Sequence, residues 1–352
     1  MNSKQFIVAD LFYPKGWYTG EVKLWDLPST SVYIKLEPNF ERKLKTTILK
    51  VGRTKKYISL FMKIPFDNLR GFFRGQAKSF GFFDKLISFL YIKNNFDFNH
   101  SNLSKNIVWI GCRASGKGII NPKIPFNFNN VSGMTLISAI LHDGGITRYP
   151  TVYPLYRNYE KVLLDTVAKS AEAVVGGVEI TTYPSKLNFP KILGLILVKG
   201  TGMCAGPKTI SNQQIPEFII TSSDELKAAF LRQAFDDDGS IYIRKYDHGG
   251  REINIVNTVD VSYLDFNLRK NIKKSNLMRY SSNTIQQTKT ILESLGINSK
   301  EILFKREYKT RKGEIKHTWK LSITYKKDFK IFREKIGFLI LRKQRKLDVA
   351  CL

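Results

Sequence analysis

Three consecutive aspartates, Asp236, Asp237 and Asp238, followed by Gly239, close an apolar stretch with helical spacing in the segment LRQAFDDDGSI, residues 231–241. Aspartate is a weak helix former, and the negative end of the helix dipole repels each carboxylate by a few tenths to about 1 kcal/mol. Acids there, with a glycine suited to a left-handed C-terminal turn, imply that positive charge sits at that helix end. The same plan occurs once before: TLISAILHDGGI at residues 135–146 matches FLRQAFDDDGSI at residues 230–241, and Asp143 aligns with Asp238. If the two helices pack side by side about a pseudo-twofold axis, these carboxylates meet. With the free carbonyls of two helix ends they would form an all-oxygen pocket suited to a hard divalent cation, above all Mg2+.

The elements that must position these acids also repeat. YRNYEKVLL from Tyr156 is answered by YSSNTIQQTKTIL from Tyr280, and FPKILG at residues 189–194 by FREKIG at residues 332–337. Each half reads as helix, strands, helix, strands, helix, an α+β pattern with halves at 131–222 and 223–352. Aligned this way, the second half carries extra length between Ile241 and Tyr280. Upstream, residues 1–40 mix SVYIKL with Pro14, Gly16, Gly20 and Pro28, and read as short strands and turns. Residues 41–105 read as short helices separated at Gly52, Pro65 and Gly75. Within them, TKKYISLFMKI and FDNLRGFFRG resemble a helix-turn-helix unit, the alternative being a small bundle with a basic solvated face. Residues 106–130, rich in Gly, Pro and Asn, read as a linker with one short strand. Gly111, Gly116 and Lys117 there match phosphate-loop spacing, but Gly118 replaces the Ser or Thr that holds magnesium, and Pro122 arrives too soon for the required helix. Nucleotide hydrolysis is set aside.

Composition narrows the partner. The chain has 352 residues, 43% of them hydrophobic, and 57 Lys plus Arg against 30 Asp plus Glu, a net charge of +27. That excess calls for a polyanion, most simply nucleic acid. No apolar run approaches the roughly 20 residues of a spanning helix, and the N-terminus lacks a secretory pattern, so no membrane partner and a cytoplasmic location are expected. Cys112, Cys204 and Cys351, and His100, His142, His248 and His317, show neither disulfide nor zinc spacing.

LISAILHDG and LRQAFDDDG together resemble the two copies of the LAGLIDADG (dodecapeptide, DOD-type) motif that names a family of homing endonucleases, in its single-chain, two-repeat form. Residues 189–219 resemble the stretch that precedes the second motif, and IGFLILRKQRKL resembles the family's close, so the resemblance spans about 131 to 352. It implies two pseudo-symmetric αββαββα repeats with saddle-shaped antiparallel sheets in a monomer. The activity implied is a site-specific, intron-encoded endonuclease on double-stranded DNA. Its phosphodiester hydrolysis would use Mg2+, or Mn2+ as a substitute, between Asp143 and Asp238. Such hydrolysis needs an activated water, neutralised phosphoryl oxygens and a stabilised leaving alkoxide. Around the acids the resemblance places Arg157 and Asn158 in the first half, Ser282 and Asn283 in the second, and Lys343 with Gln344 near the end. Two departures stand out. His142 and Asp237 occupy the seventh motif position, and Ser138 and Gln233 the third, where bulk would push the helices apart. His142 reads as a partly exposed spacer or a pH-sensitive neighbour of Asp143, and Asp236 as a cap or salt-bridge partner. Two other functions share these features: a DNA-binding regulator that no longer cuts, and an RNA-splicing maturase bound to intron RNA.

Sequence reading by such a protein would fall to its strands. Residues 302–327 suggest a hairpin turning at Lys312-Gly313 and carrying Lys305, Arg306, Lys309, Arg311, Lys312, Lys316 and Lys320. Alternation puts Lys316, Thr318 and Lys320 on one face and Ile315, His317 and Trp319 on the other, with Trp319 able to pack under the sheet. A two-stranded ribbon of this kind fits the major groove, where Arg and Lys read guanine and the remaining cations meet phosphate.

Overall fold

In the N-terminal third, short strands alternate with helices, three of them capped by the side chains of Glu37, Thr54 and Asn99. The computed structural model describes residues 18–51, 53–94, 99–113, 116–243 and 250–352; the expectations on Pro14, Gly16, Gly52 and His248 fall outside them. The chain runs β1 (Glu21–Val22), β2 (Tyr33–Leu36), α1 (Pro38–Lys50), α2 (Lys55–Phe61), α3 (Phe66–Phe73), β3 (Lys78–Ser79), α4 (Phe80–Asn94) and α5 (His100–Lys105). Pro38 opens α1 at a position where its missing N–H is no loss, and the Glu37 carboxylate accepts the amides of Asn39 and Phe40. The expected two-helix unit is α2 and α3. Next come β4 (Ile107–Gly111), β5 (Gly118–Ile120) and β6 (Phe126–Asn127).

Residues 106–130 are therefore not a linker. β4 and β5 lie inside a five-stranded antiparallel sheet of order β3-β2-β4-β5-β9, and Ile110, Ile119, Phe126 and Phe128 are fully buried. The glycines that suggested a tether, or a phosphate loop, make room for an indole. A Cβ on Gly111 or Gly118 would stand 2.5 or 2.7 Å from the Trp109 ring, and one on Gly118 only 2.4 Å from the Ile110 carbonyl. Because β9 lies beyond residue 130, in the first of the two similar halves, the N-terminal third shares a sheet and a continuous core with that half.

That first half runs α6 (Val131–Leu141), β7 (Gly144–Ile146), β8 (Pro154–Arg157), α7 (Lys161–Val175), β9 (Gly177–Val178), β10 (Thr181–Tyr183), β11 (Lys186–Asn188) and α8 (Lys191–Thr201). Two short helices, α9 (Lys208–Ser211) and α10 (Glu217–Ile220), lead to the second half. The second half runs α11 (Asp224–Asp237), β12 (Gly239–Ile243), β13 (Arg251–Asp260), α12 (Phe266–Ser275), α13 (Asn283–Ser294), β14 (Leu303–Lys309), β15 (Ile315–Ile323), α14 (Lys326–Lys335) and α15 (Leu341–Cys351). The class is α+β with antiparallel sheets. Each half builds a four-stranded sheet in which the strands lie in the order first, second, fourth, third: β7-β8-β11-β10 and β12-β13-β15-β14. Among the described residues, no helix is long and apolar enough to cross a membrane.

Register corrects three alignments. Gly144 pairs with Tyr156 and Gly239 with Ile255, so β13 is the counterpart of β8, and the insertion is the helix α12 after that strand. Asn257, not Asn283, then corresponds to Asn158. FPKILG opens α8 whereas FREKIG closes α14; the matching glycines are Gly202 and Gly337, both left-handed beyond their helices. Gly144 and Gly239 themselves are not in left-handed turns but start strands. Their Cβ atoms would lie 2.7 Å from the Ile140 Cα and 2.6 Å from the Phe235 carbonyl, so close approach to the preceding helix is what excludes a side chain.

Candidate active site

α6 is apolar on every side and buried from Gly133 to Leu141, as a helix packed all round must be. Its main partner is α11, whose buried residues include Ala228, Ala229, Phe230, Ala234 and Phe235. The third motif positions do not wedge the pair apart. Ser138 is small enough to stay inside and donates its hydroxyl across the interface to the Phe230 carbonyl at 2.8 Å. The Gln233 amide is taken up by the Tyr156 hydroxyl at 3.1 Å and by the Asp237 carboxylate at 3.0 Å.

At the ends of these helices the positive charge is an ammonium in each half. Lys208 of α9 donates to the carbonyls of Leu141, at 2.7 Å, and His142. Lys343 of α15 donates to Phe235 at 2.9 Å, Asp236 at 2.6 Å and Gly239 at 2.7 Å. The last carbonyls are thus not free, as the expected all-oxygen pocket required: lysine satisfies them and opposes the dipole there. Burial pulls Lys208 down to about 8 and also lowers Lys343. Sequence reasoning missed Lys208, although a signal exists. It follows Gly202 at the spacing by which Lys343 follows Gly337. Asp236 is a cap, its carboxylate accepting the amides of Leu339 at 2.8 Å and Ile340 at 3.2 Å where α15 begins.

With the carbonyls satisfied, the carboxylates remain. Asp143 accepts the Asn158 amide at 2.8 Å, and the same amide reaches Asp237 at 3.3 Å, which also accepts the Tyr156 hydroxyl at 2.6 Å. Burial and then the charge of Asp238 hold the Asp143 carboxyl above its ordinary range. Burial lifts Asp238 to about 6 despite the opposing pull of Lys208 and Lys343, and Asp237 stands well above 3.8 from burial and from Asp143. None of the three has a direct ion pair among the described residues. Asp238 opens on a cavity of about 240 Å³ lined by His142, Lys208, Asn257, Thr258 and Ser282. Asn283 is engaged elsewhere, its backbone and side-chain nitrogens both donating to Asn212 at 2.9 and 2.8 Å. Gln344 accepts the Phe338 amide instead of reaching the acids.

His142 is neither an exposed spacer nor a switch near neutral pH. It is buried against Phe230, and burial pushes it down to about 4. Its Nδ1 lies 2.8 Å from the Ser138 carbonyl and so carries the proton.

The basic residues separate into two groups. Arg157 is exposed at the end of β8; Lys305, Arg306, Lys309, Arg311 and Lys312 are exposed on β14 and the turn at Gly313. Lys316 and Lys320 do not belong with them. β15 is an inner strand, and Lys316 is buried opposite Asp260, bound to it at 2.9 Å and to Glu314 at 3.1 Å. Lys320 pairs with Glu252 at 2.7 Å. Trp319 is fully buried under the sheet, as its alternation allowed.

Among the described residues, no group of three His, Cys, Asp or Glu side chains forms a ready-made metal cage. Asp143 and Asp238 nevertheless suit a hard cation, since the charge of Asp238 raises the proton affinity of Asp143 and the nearby lysines are spent on carbonyls. No protein-family model matches this chain, and no curated protein matches it.

Proposed function

We propose that this chain is a LAGLIDADG-type, site-specific endonuclease on double-stranded DNA, a monomer whose two αββαββα repeats each supply one acid, Asp143 and Asp238. The observation that carries the proposal is the convergence of these acids at the ends of two packed helices, each end held by its own lysine. Mg2+, or Mn2+ in its place, would be held by the two carboxylates and would neutralise phosphoryl oxygens and acidify a bound water when present. Asn158 fixes the Asp143 carboxylate, and Asn257 occupies the matching place beside Asp238. Lys208 and Lys343 set both helix ends at a fixed depth and keep positive potential beside a site that must receive phosphate. Arg157 and the cations of β14 would meet the DNA, with Arg306, on the face it shares with Thr318, suited to major-groove contact and Arg311 and Lys312 to phosphate.

Cleavage of a randomised duplex library tests this. Double-strand cuts at one recovered sequence are expected with Mg2+ and not with Ca2+, lost or reduced to nicks in Asp143→Asn and Asp238→Asn. Salt-sensitive duplex binding without cuts would replace the enzyme with a DNA-binding regulator. Preference for intron RNA over duplex DNA would replace it with a maturase.

A further inference from the structure

The N-terminal sheet carries a buried cation that the endonuclease reading does not use. Lys78, on the edge strand β3, is 8% exposed, yet no carboxylate pairs with it among the described residues. Its hydrogen bond there is to the Gln76 side-chain oxygen at 3.4 Å, long for a charged donor. Burial without a counter-ion lowers its proton affinity. The neighbouring helix is built around this ammonium. Gly71 lies within α3, where glycine weakens a helix relative to alanine. A Cβ on Gly71 would stand 2.2 Å from the Lys78 Nζ and 2.3 Å from the Gln76 oxygen. Two features that each diminish stability, an unneutralised buried charge and a glycine in a helix, are thus kept at one point.

That point is the wall of a cavity of about 490 Å³, lined by Tyr33, Lys35, Asn68, Gln76, Ser79 and Phe82 beside Lys78. The volume falls in the range of small-molecule sites, roughly 300 to 1,000 Å³. Its polar lining offers a second cation, two amides and two hydroxyls, and Phe82 and the Tyr33 ring add aromatic surface. The Glu41 carboxylate, 4.0 Å from a Cβ placed on Gly75, is paired with Lys45 and not with Lys78. A buried ammonium facing a solvent-connected space of this size is completed by an anion, and a phosphate ester supplies both the charge and several acceptor oxygens.

We propose that this cavity binds the phosphate group of a nucleotide, with the Lys78 ammonium as its counter-ion. The nucleotide is either free or a unit of a nucleic-acid strand lying across the N-terminal sheet. The site rests on none of the cleavage residues, so it stands or falls apart from the endonuclease.

The test is calorimetric titration and thermal unfolding of the full chain with inorganic phosphate, deoxyadenosine 5′-monophosphate and deoxyadenosine, together with binding of a random-sequence duplex. Wild type is expected to gain thermal stability with the two phosphate-bearing probes and not with deoxyadenosine. Lys78→Met should unfold at a higher temperature without ligand, because a buried charge is gone, and should bind the monophosphate at least tenfold more weakly. Gly71→Ala, which leaves the lysine in place but pushes its ammonium aside, should weaken binding in the same direction and covers the case in which Lys78→Met misfolds. If the variants lose duplex affinity, with a shallower salt dependence, the phosphate belongs to a strand; if they lose only the monophosphate, it belongs to a free nucleotide. Unchanged affinity of both variants for phosphate, monophosphate and duplex alike would overturn the proposal.

Discussion

Asp238 is the residue at which function and stability pull apart. Its carboxyl is held at about 6 against 3.8 for the ordinary group, so the folded chain binds that proton more tightly than the unfolded chain. Between these two values the unfolded state has fewer protons bound, and metal-free stability therefore falls as pH rises through that window. Chelator-treated protein should unfold at a lower temperature at pH 7.5 than at pH 5. Asp238→Asn should reduce that slope, leaving the part that Asp143 and Asp237 contribute, and gain about 1 to 3 kcal/mol at pH 7.5, while abolishing cleavage. Denaturation followed in parallel for wild type and variant checks this, and an unchanged slope would contradict it. The lysines act in the opposite sense. Lys208→Met and Lys343→Met each leave buried carbonyls without a donor and should cost about 1 to 3 kcal/mol in urea unfolding, with nicked rather than cut product from either.

At the scale of elements, the helix pair sets the spacing of the acids. Ser138→Ala adds no bulk, removes the bond to the Phe230 carbonyl and should cost about 1 to 2 kcal/mol. Gly239→Ala places a methyl 2.6 Å from the Phe235 carbonyl, and Gly144→Ala one 2.7 Å from the Ile140 Cα. Overpacking of this kind costs about 1 to 3 kcal/mol. Each glycine variant should lose catalysis beyond its loss of stability, read as a lower turnover at saturating DNA by protein that is still folded. The hairpin of β14 and β15 divides between strands: Lys305 or Lys309 changed to Ala should weaken duplex binding and flatten its salt slope, whereas Lys316→Ala should act on folding by stranding Asp260.

At the scale of the molecule, the N-terminal third and the first half share one sheet and one core. β5 pairs with β9, and a side chain on Gly200 of α8 would meet Val22 at 2.7 Å and Phe128 at 3.0 Å. A fragment beginning at Val131 should therefore fail to give a cooperative unfolding transition, whereas independent domains would leave it folded. Removing residues 18–130 exposes an unpaired strand and the apolar side of α8, so aggregation is the expected form of failure.

The sequence by itself determined the helix ends, the position of Asp143 and Asp238 at them, the strand hairpin at Gly313 and the large positive charge, and narrowed Asp236 to a cap or a salt-bridge partner. All of these are local in chain position or additive over composition, so periodicity, turn chemistry and charge counting reach them. Tertiary structure alone decided which groups answer one another. Lys208 and Lys343 meet their carbonyls across long stretches of chain, Asn257 replaces Asn283 because strand register and not helix order aligns the halves, and Lys316 is consumed by Asp260 because β15 lies inside its sheet. The segment 106–130 reads as a tether because its strands are short and their glycines answer to Trp109, a packing demand invisible without the fold.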